Sequence, residues 1–119
     1  MPAEPLPDLT AALAEAAALG AERAWTAPSA QTIAEARRLL ALLVGQPRAP
    51  QLQVEPDGTI LLEWDVPERG WLQLAVHGRG EITHGAVIDG DEYTQAEAFD
   101  RTLPPWAAEL LRRLMPPGH

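Results

Sequence analysis

The spacing of apolar residues changes near Gln51 from the period of a helix to that of a strand, and this change constrains the fold more than any other feature of the chain. Before it, Leu9, Ala12, Leu13, Ala16 and Leu19 recur at helical spacing, as do Ile33, Ala36, Leu40, Leu43 and Val44. Asp8 and Ser29 stand where N-caps belong, predicting helices from Leu9 to about Leu19 and from Ala30 to Val44. Gly45, with Pro47 and Pro50 beyond it, stops the second helix. Between the helices, Ala21 to Pro28 reads as a turn carrying Trp25, because the residue before a proline is pushed out of the helical region.

After Gln51 the chain alternates. Leu52 and Val54, then Ile60, Leu62 and Trp64, share one parity and flank Pro56-Asp57-Gly58, a three-residue hairpin loop with glycine at the left-handed position. If Glu55 faces Thr59, then Val54 meets Ile60 and Leu52 meets Leu62, so the apolar residues share a face. A third strand runs through Leu72, Leu74 and Val76. The loop Gly78-Arg79-Gly80 sets Val76 against Ile82 in a fourth strand, Glu81 to about Ile88. Asp89 to Glu92 reads as a loop, and Tyr93 to Thr102 shows neither period, with at most a helical turn around Ala96 to Phe99. Leu103-Pro104-Pro105 opens a last helix, Trp106 to Met115, on which Trp106 reads as a docking residue. The expected fold is α+β: two N-terminal helices, a four-stranded antiparallel meander and a C-terminal helix, with the helices on one sheet face.

A chain of 119 residues supports one domain, 1–119, with 1–7 a flexible, proline-punctuated arm. It can bury roughly two thirds of its unfolded surface, enough for a core without staples. There is no cysteine, so disulfides, thiolate metal sites and a Cys nucleophile are excluded. The N-terminus lacks the basic and apolar segments of a signal peptide, and the longest apolar run, Leu39 to Val44, is far too short to span a bilayer. A cytoplasmic protein without membrane association is expected. All nine basic residues are arginine and asparagine is absent, a pattern of GC-rich coding that carries no mechanism. Net charge is -8, concentrated between Gln51 and Asp100, where eleven acids face only Arg69 and Arg79. That field repels phosphate backbones and favours a basic protein partner over nucleic acid.

No residue is assigned to catalysis, a cofactor or a metal. Ser29, the only serine, has a capping role. His77 points outward at a loop as a solvated side chain, whereas His84 lies opposite Leu74 on the inner side, so the two cannot share an ion; His119 ends the chain. Asp89-Gly90-Asp91-Glu92 lacks the ligand spacing of a calcium loop. Glu63 and Asp65 flank Trp64 on one strand face with side chains ~7 Å apart, a spacing shared by acid–base pairs and by ordinary wet sheet faces.

Trp71 has outer-face parity with Gln73, Ala75 and His77, and Leu61 is outward on the neighbouring strand. Two outcomes stand open: these side chains form an exposed patch within a polar rim, or the last helix or the Tyr93 to Phe99 segment covers them.

Ala27-Pro28-Ser29, a helix ending before Pro47, and Pro56-Asp57-Gly58-Thr59-Ile60-Leu61-Leu62-Glu63-Trp64 together resemble a group of short uncharacterised bacterial proteins. These share the layout A-P-S, helix, P-D-G-x-I-x-L-E-W, hairpin. The resemblance covers roughly Trp25 to Thr83 and departs before Pro28, where the turn of that group is shortened to Trp25-Thr26-Ala27. It implies an α+β fold and no activity.

The leading expectation is a non-catalytic acidic interaction module, of the immunity, antitoxin or secretion-chaperone kind, with Leu61, Glu63, Asp65, Trp71 and Gln73 as partner-binding residues. The alternative is a small ligand-binding protein or hydrolase-like enzyme using Glu63, Asp65 and His84 in a cleft between sheet and helices. A third reading is a homodimer formed through the outer face or a free edge strand.

Overall fold

The computed structural model describes residues 4–116. Helices α1 (Leu9–Gly20) and α2 (Ala30–Leu42) precede strands β1 (Gln51–Val54), β2 (Ile60–Val66), β3 (Gly70–Val76), β4 (Glu81–Ile88) and β5 (Asp91–Ala98), and α3 (Pro105–Leu114) closes the fold. Both expected caps form: Asp8 Oδ1 accepts the Ala11 N–H at 3.1 Å, and Ser29 Oγ accepts that of Thr32 at 3.0 Å.

The sheet is an antiparallel meander in the order β1-β2-β3-β4-β5. Its register is the one required by the apolar alternation, with Val54 opposite Ile60, Leu52 opposite Leu62, Val76 opposite Ile82 and Leu74 opposite His84. The Pro56-Asp57-Gly58 loop closes as expected, with Gly58 at φ +90°. The expected count of four strands is corrected to five. Asp89 and Gly90 both adopt positive φ, +52° and +88°, forming a two-residue hairpin turn that pairs Ile88 with Asp91 and returns the chain along β4. The segment expected to be irregular or helical around Ala96 is therefore an edge strand. Its inward positions are Asp91, Tyr93, Gln95 and Glu97, which supply no apolar alternation.

Inward side chains Ile60, Leu62, Trp64, Leu72, Leu74, Val76, Ile82, Ala86 and Ile88 form one core with Leu9 of α1, Leu39 and Leu40 of α2, Leu43 at the C-cap of α2, and Ala107, Leu110, Leu111 and Leu114 of α3. A buried carboxylate ties α2 to the β3–β4 turn: Glu35 Oε2 accepts the Gly80 N–H at 2.9 Å and the Gln31 amide at 3.2 Å. The third helix has prolines at its N-cap and first position, neither offering a capping side chain. Glu97 of β5 takes over, its two oxygens accepting the Trp106 and Ala107 N–H groups at 2.9 and 3.0 Å. Trp106, expected to dock α3, instead lies exposed with the Arg113 guanidinium 5.8 Å from its ring; apolar docking falls to the leucines on the opposite helix face. Residues 4–7, expected to form part of a loose arm, lie on the body: Leu6 packs on the core and Glu4 Oε1 accepts the Ala49 N–H at 3.1 Å. Residues 1–3 and 117–119, including His119, lie outside the described residues.

Candidate partner-binding face

The core cluster draws helical side chains only onto the inward positions, so the outward face of the meander is not roofed by a helix. Of the two open outcomes for Trp71, exposure is the one found: the residue remains 44% exposed. The indole lies over Gly85 of the next strand, where a Cβ would sit 3.8 Å from the ring, so the absence of a side chain on β4 gives the tryptophan a flat seat. Asp65 is the cross-strand partner of Trp71, while Glu63 is flanked by Gln51 on β1 and Gln73 on β3. The Gln73 amide donates to Glu63 Oε1 at 2.6 Å, which orients that carboxylate.

These groups line a cleft of about 620 Å³. Trp71, Gln73, Glu63 and Asp65 form one part of its lining, and Gln51, Arg48, Ala49 and Glu4 another. The segment carrying Arg48 and Ala49 is held in place by the Glu4 contact to Ala49 and by the Trp64 indole, which donates to the Arg48 carbonyl at 3.1 Å. The structure thus brings together four of the five residues expected to bind a partner. Leu61 is the exception: paired with Gln53 on one side and Ala75 on the other in a middle strand, it is only 7% exposed and acts as packing beneath the face. Gln51 was legible from its parity with Glu63 across the hairpin. Arg48 and Glu4 carried no such signal, because they reach the cleft from irregular chain.

The sheet keeps His84 apart from Glu63 and Asp65. His84 is inward and buried, with Nε2 3.3 Å from Glu97 Oε2, yet neither ring nitrogen has an aligned hydrogen bond. The constellation of two carboxylates and a histidine required by the enzyme alternative does not converge. His77, expected to be solvated, is half-buried and bridges strands: Nε2 lies 3.0 Å from Thr83 Oγ1, and Nδ1 lies 3.4 Å from Thr59 Oγ1. Among the described residues no three His, Asp or Glu side chains are grouped to hold a metal ion, and no helix is long and apolar enough to cross a membrane. A second cavity of about 400 Å³, bordered by Leu13, Gly20, Trp25, Ile33 and Val54, lies between α1 and its neighbours and is lined by no charged residue.

Compared with protein-family models, curated proteins and solved structures, the chain matches none.

Proposed function

We propose that the protein is a non-catalytic interaction module of the cytoplasm that binds a protein partner on the outward face of its sheet. The immunity, antitoxin and secretion-chaperone proteins are the kinds whose work fits such a module. The observation that carries this reading is the exposed Trp71 set among Glu63, Asp65 and Gln73 on a sheet face that no helix covers. A large aromatic anchor inside a polar rim is the arrangement from which interfaces draw most of their energy. The acidic charge around it favours a basic partner and opposes nucleic acid.

The test compares tagged wild-type protein with Trp71→Ala in pull-downs from the source cells. A stoichiometric partner retained by the wild type and lost by the variant, with both folded, is the expected result. Equal retention by both removes this face from the account. Capture of the protein's own untagged copy alone replaces the partner with a homodimer.

A further inference from the structure

We infer that the outward cleft receives an arginine side chain of the partner, held between the Trp71 indole and the carboxylates of Glu63 and Asp65; this rests on the interaction reading above. Three observations lead there. First, the charged residues at outward positions of the five strands are Glu63, Asp65, Glu81 and Glu92, with no arginine among them, so the face carries one sign of charge.

Second, among the described residues Glu63 Oε2 and both Asp65 oxygens accept no protein hydrogen bond. Arg48, which also lines the cleft, makes no ion pair with either residue. Three carboxylate oxygens are thus free of protein partners, and the Gln73 amide orients the carboxylate of Glu63.

Third, the exposed indole borders the same cleft. A guanidinium is planar and weakly hydrated, stacks on tryptophan and offers several N–H donors in its plane, so it can engage aromatic face and carboxylates together. A cleft of about 620 Å³ has room for an arginine side chain and the backbone that bears it. The electrostatic part of the interaction should weaken with salt, since Asp65 is exposed.

The test uses two capped tripeptides, acetyl-Gly-Arg-Gly-amide and its citrulline counterpart, which keeps the shape and removes the charge. Each is titrated into the ¹⁵N-labelled full chain while the Trp71 indole N–H signal, assigned by its loss in Trp71→Phe, is followed by NMR. The arginine peptide is expected to shift that signal saturably and the citrulline peptide to leave it in place. The double variant Glu63→Gln, Asp65→Asn, with its remaining spectrum unchanged, is expected to bind the arginine peptide about tenfold more weakly. Equal response to both peptides, no response to arginine, or undiminished binding by the double variant overturns the inference. Its failure is separable from that of the interaction reading. A pull-down that depends on Trp71 but not on the two carboxylates retains the module and removes the arginine site. Arginine binding without a Trp71-dependent partner does the reverse.

Discussion

Glu97 joins three parts of the molecule through one carboxylate: it sits on the edge strand, caps a helix that opens with two prolines, and faces the buried His84 imidazole. Glu97→Ala would orphan two helix-terminal N–H groups and remove the carboxylate that lies 3.3 Å from the imidazole. The expected cost is about 2 kcal/mol in urea unfolding, with Glu97→Gln falling between because its amide oxygen still accepts. A second acidic residue makes a prediction about pH. Hydrogen bonds from Arg112 and Arg113 hold the Glu109 carboxyl down to about 2, from an ordinary value of 4.5. The folded chain therefore favours the ionised form, so the contribution of this cluster is complete above the unfolded value, declines as pH falls below about 4.5, and is gone below about 2. An NMR titration should place the Glu109 midpoint near 2, and Arg112→Ala should raise it; a midpoint at the ordinary value would mean the cluster does not form in solution.

At the scale of elements, the helices and four of the strands were legible because each shows its inward face as an apolar repeat. The fifth strand was not. Its inward residues do polar work: Glu97 caps α3, and the Tyr93 hydroxyl lies 3.0 Å from Arg113 Nη1, with the Arg113 guanidinium 5.7 Å from the Tyr93 ring. The legible signal was the turn itself, since Asp-Gly is a preferred two-residue hairpin pair even where the following strand lacks alternation. Gly90 sits at φ +88° with open space around the position a Cβ would take, so Gly90→Ala tests backbone conformation without a clash. About 1 kcal/mol of destabilisation is expected, together with faster amide exchange along β5. An unaffected β5 would count against this turn.

For the whole molecule, the sheet divides the labour. One face is filled by leucines from the helices, and the other presents Trp71 and carboxylates. Parity in the sequence placed Trp71, Glu63, Asp65 and Gln73 on that second face, but parity cannot show whether another element covers a face or whether a central side chain such as Leu61 is shielded by its neighbours. Those are properties of packing. Leu74→Ala on the inner face should cost about 3 kcal/mol through the cavity it leaves, whereas Trp71→Ala should shift the unfolding midpoint far less, a contrast read from paired denaturation curves. The most direct measurement of the central claim is carboxyl footprinting by mass spectrometry, on the purified protein and again in an extract of its source cells. Glu63 and Asp65 should label readily in isolation and become protected in the extract, while exposed Asp8 and Glu22, at either end of α1, label equally in both. Unchanged labelling of Glu63 and Asp65 in the extract would contradict the assignment of the outward face to a partner.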